Sequence, residues 1–220
     1  MRNEVLTFKR ERILSEASAL FYERGFTATT LDDIAARLGV TKPFIYGHFR
    51  SKADLLAAVC RPPLELTLAA AARVAKAEGT NSDRLKQLIA ELTSIFLEHR
   101  SNVSIYARDA LSLEPPARSE IESLKNRRNR VIMDLLRSGV TAREFDVDDL
   151  SAASLALFAL IAGVPQAAKN GSNRTVAENT PEEIAKLALR MVGARDGKLP
   201  RSGSSVRSKQ SRTSHAGGTH

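Results

Sequence analysis

Between positions 41 and 52 the chain gathers side chains suited to a polyanion: the hydroxyls of Thr41 and Tyr46, the ammonium groups of Lys42 and Lys52, and the imidazole of His48. Hydroxyl, ammonium and imidazole donors match phosphate oxygens, and side chains in the first turn of an exposed helix reach base edges. Pro43 and Phe44 add apolar surface between them, and Thr30 offers one more hydroxyl upstream. Each residue also has a plainer role. Tyr46 can pack with its hydroxyl in water, His48 and Lys52 can be solvated surface groups, and Thr30 and Thr41 are suited to cap helices.

No comparable group points to covalent chemistry. The patterns His-Glu-x-x-His and Gly-x-Ser-x-Gly are absent, and His48, His99, His215 and His220 are scattered. Residues 193–198 fall one short of a phosphate loop. Asp146, Asp148 and Asp149 cluster where a helix is expected to begin, so they complement its dipole more simply than they bind a metal. Cys60, the single cysteine, excludes an intrachain disulfide and a multi-thiolate site and reads as a small apolar residue packed in a helix. These observations predict a non-enzyme without metal or cofactor.

The 220 residues are 43% hydrophobic, enough to fill a core, and their formal net charge is +8. The charge is unevenly spread. Residues 1–60 carry 9 basic and 7 acidic side chains, residues 61–194 carry 18 and 17, and residues 195–220 carry 6 and 1. That last stretch has eight Ser or Thr, four Gly, one Leu and one Val, too little apolar surface to offset the entropy of ordering, so it reads as a disordered basic tail. The amino terminus is charged, and the longest apolar run, residues 155–164, is too short to span a bilayer. A soluble, cytoplasmic protein is expected.

The elements that must position the residues 30–52 are helical, because apolar spacing along almost the whole chain follows the helical period and no alternating strand pattern occurs. The fold class is all-α. A first helix spans residues 7–24 and ends at Gly25. Thr30 and Asp33 form a capping box for a second, which ends at Gly39, and Thr41 is placed to cap a third with Pro43 in its first turn. Further helices are expected at residues 53–78, kinked or interrupted by Pro62-Pro63, and at 83–100, 104–113, 116–138, 148–170 and 181–194. The last has the clearest start, with Thr180 as cap and Pro181 at its first position.

Helix, glycine turn, helix is the arrangement in which a second helix enters the major groove of DNA. Residues 29–52, TTLDDIAARLGVTKPFIYGHFRSK, resemble the DNA-binding region of the TetR family of bacterial transcriptional regulators, a likeness that covers about residues 10–59. The resemblance implies an amino-terminal helix-turn-helix domain (1–52), a helical ligand-binding and dimerisation domain (53–194), and then the tail (195–220). By it, Thr30 and Lys52 contact phosphate, Thr41, Lys42, Pro43 and Phe44 face bases, and Tyr46 and His48 bind backbone at the helix edge. Phe44 and Gly47 depart from the commoner pattern.

Phe96, His99, Tyr106 and Arg108 are polar or aromatic among apolar neighbours, which suits a small-molecule cavity and equally an ordinary core and rim. The helix over 148–170 is apolar nearly all round, so one side is buried in the subunit or by a second copy. Phe158, Ile161, Leu187 and Met191 are the residues expected at a homodimer contact. The expected function is a ligand-responsive regulator, a repressor binding a palindromic operator as a homodimer and released by a small-molecule effector. The alternatives are an activator of the same fold, a sequence-indifferent DNA binder acting through its basic tail, and an enzyme.

Overall fold

The computed structural model describes residues 2–170 and 176–194, so the expected tail at 195–220 lies outside the described residues. Among the described residues nine α-helices follow one another: α1 (Arg2–Arg24), α2 (Leu31–Leu38), α3 (Lys42–Tyr46), α4 (Lys52–Val74), α5 (Asn81–Glu98), α6 (Arg100–Asp109), α7 (Pro115–Thr141), α8 (Leu150–Asn170) and α9 (Val176–Met191). One 3-10 turn, Ala110–Ser112, follows α6, and no strand occurs among the described residues. The all-α class expected from the sequence holds.

Local chemistry sets the early boundaries. Gly25 ends α1 at φ +88, and its amide donates to the Phe21 carbonyl at 2.9 Å. Thr30 caps α2: its Oγ1 accepts from the Asp33 amide at 3.1 Å, while Asp33 accepts from the Thr30 amide at 2.8 Å. Gly39 then takes a left-handed conformation (φ 66) that a side chain would resist, turning the chain toward α3.

Two cores hold the helices. The first joins Ile13 and Phe21 of α1, Ile34 of α2 and Ile45 of α3 to Leu55 and Leu56 of α4, and recruits Ile105 of α6 and Ile121 of α7. The second joins Ala71 and Val74 of α4 to Leu88 of α5, Leu136 of α7, Leu157 of α8 and Ala188 of α9. Burial of each large apolar side chain stabilises its core by about 1.5–3 kcal/mol. Because α4 contributes to both, the first core crosses the 52/53 boundary drawn from sequence.

Several boundaries differ from expectation. α4 is not interrupted at Pro62 and Pro63, because proline removes single hydrogen bonds and packing on both cores outweighs the loss. α4 is also long and apolar enough to span a bilayer by length and composition, a property missed by seeking an uninterrupted apolar run; Leu55 to Val74 instead supply buried residues to the two cores. α6 and its 3-10 turn occupy 100–112 rather than 104–113. α9 starts at Val176, so Thr180 lies inside it and is not its cap. At α8, Asp149 accepts from the amides of Ser151 (2.8 Å) and Ala152 (3.0 Å), which places one acid of the cluster at the helix start, where it was expected to complement the dipole.

Candidate nucleic-acid interface and ligand cavity

The α2–α3 pair presents Thr30, Thr41, Pro43 and Tyr46 to solvent, with Tyr46 50% exposed. Thr41 stands at the N-cap of α3 but makes no side-chain cap bond, which corrects the capping role expected of it. Pro43 has no amide, and the Phe44 amide is already bonded to the Thr41 carbonyl at 3.0 Å, so the hydroxyl finds no donor in the first turn and is left facing outward.

The remaining predicted residues are less free. Lys42 pairs with Asp32 at 2.8 Å, an ion pair that holds its ammonium above the usual lysine range and ties α3 to α2. Phe44 is half-buried against the first core and lies 5.2 Å from the His48 ring in an edge-on arrangement, with Lys9 5.7 Å from its own ring centre. Its ring lies on the side of α3 toward Phe8 and Lys9 of α1. The His48 carbonyl accepts from Arg10 at 2.8 Å. Lys52 donates to the carbonyls of Phe26 and Thr29, both at 2.8 Å, and sits 4.3 Å from the Phe26 ring centre. The structure thus uses Lys52 to brace the α1–α2 loop.

A cavity of about 210 Å³ opens between α4, α5, α6, α7 and α8. Its walls are apolar, from Pro63 and Leu64, Phe96, Val103 and Phe158, while Tyr106, Lys125 and Arg128 supply its polar atoms. Of the four residues expected at a cavity, Phe96 and Tyr106 line it and His99 and Arg108 do not. His99 sits at the α5–α6 junction, where its amide donates to the Ile95 carbonyl. Arg108 points the other way: its guanidinium donates to the carbonyls of Phe21 and Tyr22 at the end of α1 and pairs with Asp109 at 2.8 Å. Asp109 in turn accepts from the Phe26 amide at 3.4 Å. One face of α6 therefore lines the cavity while its last turn holds the exit of α1.

Polar geometry inside the cavity is ordered. Lys125 donates to Glu122 (2.8 and 3.1 Å) and to the Tyr106 hydroxyl (3.2 Å), which itself donates to Glu122 at 3.0 Å. The lysine bond holds Glu122 below the usual carboxylate range, and burial raises the Tyr106 phenol. Cys60 also reaches the cavity; burial pushes its thiol up to about 12, so it is an inert packing residue, as its isolation in the sequence suggests.

Residues 13–59 match the family of bacterial regulatory proteins named for tetR, and residues 78–192 match the tetracyclin repressor-like carboxyl-terminal domain. The chain belongs to the TetR family. Among its relatives, the transcriptional repressor KstR2 of Mycobacterium tuberculosis is 29% identical over 141 residues, covering 64% of this chain and 70% of that protein. The transcriptional activator FasR of Mycolicibacterium smegmatis is 29% identical over 130 residues, 58% of each chain. A tetR-family regulatory protein from Rhodococcus RHA1 superposes with a TM-score of 0.76 at 28% identity, covering 86% of this chain and 98% of that one. The fold is shared with AibR, solved with isovaleryl coenzyme A and operator DNA (TM-score 0.70, 17% identity, 85% and 100% covered).

As a TetR-family transcriptional regulator, the chain carries features its sequence reading missed or misplaced. Arg128 is 1% exposed in the cavity wall, and the clue was periodic: it lies on the α7 face of Ile121, Ile132 and Leu135. Of the residues expected at a dimer contact, Ile161 is buried in the second core and does not face outward, and Phe158, edge-on to Phe96 at 5.9 Å, is only partly exposed. Leu187 and Met191 face outward, at 44% and 47% exposure, and Leu155 of α8, passed over before, is 71% exposed. A helix apolar on every side gives no clue to which side the subunit takes for itself.

Proposed function

We propose that this regulator is a cytoplasmic, homodimeric repressor that binds a palindromic operator through α3 and releases it when a small molecule fills the cavity. Residues 1–52 read double-stranded DNA and residues 53–194 hold the effector and pair the subunits. Thr41, Lys42, Pro43 and Tyr46 meet the groove, Thr30 and His48 meet its edge, and the apolar residues left exposed on α8 and α9 pair two copies, whose symmetry matches two half-sites. No enzyme activity is assigned, in keeping with KstR2 and FasR, both transcriptional regulators.

The observation that carries this reading is the double engagement of α6: Val103 and Tyr106 in the cavity wall, Arg108 and Asp109 on the exit of α1. A ligand that shifts α6 changes how the helix-turn-helix sits on α4. A differential affinity of about 1–3 kcal/mol between two such states weakens operator binding roughly 5- to 150-fold.

The test is binding to the DNA flanking the protein's own coding region. Specific binding to an inverted repeat there, at least a thousandfold tighter than to random duplex at physiological salt, is expected. Equal affinity for both duplexes leaves a sequence-indifferent binder. Because FasR is an activator, a reporter driven by that repeat gives the sign: deletion of the protein raises expression if it is a repressor.

A further inference from the structure

Arg128 is the largest fully buried side chain of the described residues, and its charge is uncompensated. Its Nε and Nη2 share Asn129 Oδ1 at 3.4 and 3.2 Å, and its Nη1 reaches Thr67 Oγ1 at 3.5 Å. Both partners are neutral, and with three N–H groups engaged, two of the five have no acceptor among the described residues. No carboxylate pairs with Arg128 among the described residues, whereas Lys125, the other cation of the cavity, is paired with Glu122 at 2.8 Å. The guanidinium lies 4.4 Å from the Phe158 ring centre and borders a mostly apolar space whose other polar groups are Tyr106 and Lys125. Burial draws it down to about 10, which still leaves it charged at neutral pH.

A buried cation without a counter-charge is a standing penalty in the unliganded protein, removed by an anion that brings its own apolar cover. We propose that the cavity binds a small apolar monocarboxylate, forked by its carboxylate on the free edge of Arg128, with its chain between Leu64, Phe96 and Phe158. This assignment rests on the reading of the cavity as the effector site and names the effector's chemistry.

Size and charge select that class. The planar guanidinium fork matches the two oxygens of a carboxylate. With Lys125 and Glu122 cancelling, one positive charge is left, so a monoanion neutralises the site while a phosphate dianion leaves a charge against apolar walls. The volume of about 210 Å³ lies below the roughly 300–1,000 Å³ of drug-sized sites and holds about seven groups the size of a water molecule. A coenzyme A thioester is too large, and its acyl end is uncharged where Arg128 waits.

Hexanoate is the probe, with hexanamide, hexan-1-ol and hexanoyl coenzyme A as comparisons, measured on the full chain by calorimetry and thermal shift. Hexanoate is expected to bind at least tenfold more tightly than the amide or alcohol, and Arg128→Met to erase that preference. Without ligand, Arg128→Met is expected to melt no lower than the wild type, since the substitution removes an unpaired buried charge; a lower melting temperature with hexanoate preference retained marks Arg128 as structural and overturns the assignment. Equal binding of acid and amide by the wild type overturns it without recourse to any variant, as does preference for the thioester. Operator binding is followed in parallel. Hexanoate bound without loss of operator affinity upholds the anion site and sinks the switch, whereas operator release by hexanamide but not hexanoate upholds the switch and sinks the anion site.

Discussion

The side-chain amide of Asn102 donates to the Val59 carbonyl at 2.7 Å, and Val59 is the residue whose helical partner would have been the amide of Pro63. Proline has no amide to give, so a residue of α6 completes the hydrogen bonding of α4 from outside. The two helices are thereby joined at the cavity wall, where Pro63 and Cys60 of α4 face Val103 and Tyr106 of α6.

Asn102→Leu is expected to cost about 1–3 kcal/mol, because it leaves a part-buried carbonyl unsatisfied. Adding Pro63→Ala to that variant restores an amide within α4 and should recover most of the loss. Urea denaturation of the two single variants and the double variant makes the cycle. Additive losses would show that Asn102 stabilises the protein through something other than the carbonyl Pro63 leaves open.

The two lysines of the helix-turn-helix separate by the same kind of reasoning. Lys42 and Asp32 form an exposed pair worth at most about 1 kcal/mol, so DNA can take over the ammonium with little loss. Lys42→Ala should leave folding intact and weaken operator binding by about 1–3 kcal/mol more than random DNA. Lys52→Met removes a charged donor from the carbonyls of Phe26 and Thr29 and should lower stability by about 1.5–3 kcal/mol, with affinity for every duplex falling together. Unchanged stability, with a salt slope flattened by about one, would instead make Lys52 a phosphate contact alone.

What the sequence revealed and what it hid divide along the range of the forces involved. Thr30, Gly25, Gly39 and Pro43 act on backbone groups within a few residues, so their patterns locate α2, α3 and the turn between them. The Thr180-Pro181 pair misled for a physical reason: a proline forbids only its own bond, and α9 extends a further turn ahead of it. The helical period marks Arg128 as lying on a buried face of α7, but its partners, like those of Asn102 and Ile161, were not legible, since they depend on which face of a long helix meets another helix remote in sequence. Arg108 differs only in direction, its position on α6 turning it to α1 rather than to the cavity.

Acid should loosen the join between α5 and the loop after α7. Glu144 accepts from the Asn81 amide (3.1 Å), the Asn81 side chain (2.7 Å) and the Ser82 amide (2.9 Å). Burial alone would raise its carboxyl, but these hydrogen bonds outweigh burial and hold it below 4.5. A carboxyl lowered in the folded state stabilises above its unfolded value near 4.5 and loses that contribution as pH falls through the folded value. Urea midpoints of wild type and Glu144→Gln should differ by a constant amount at pH 6–7 and converge below about pH 4.5. A gap that persists undiminished at pH 3 would show that the charge of Glu144 is irrelevant.

Pairing of subunits gives the last expectation, and it turns on which apolar residues the fold leaves outside. Leu155 on α8 and Leu187 and Met191 on α9 are exposed, while Ile161 is 1% exposed in the second core. If two copies meet across α8 and α9, each residue is used twice by the two-fold axis, so a charge at one of them is applied twice. Burial of a leucine is worth about 1.5–3 kcal/mol, and a carboxylate in its place adds desolvation and like-charge repulsion. Leu155→Glu and Leu187→Glu should therefore yield folded monomers, with unchanged helical circular dichroism and half the mass by sedimentation. They should also lose most affinity for a two-half-site operator while keeping residual binding to a single half-site. Ile161→Glu should behave differently and unfold the carboxyl-terminal helices, because its environment belongs to its own subunit. A dimer that survives both leucine substitutions would move the contact away from α8 and α9, and would break the link drawn here between exposed apolar surface and operator symmetry.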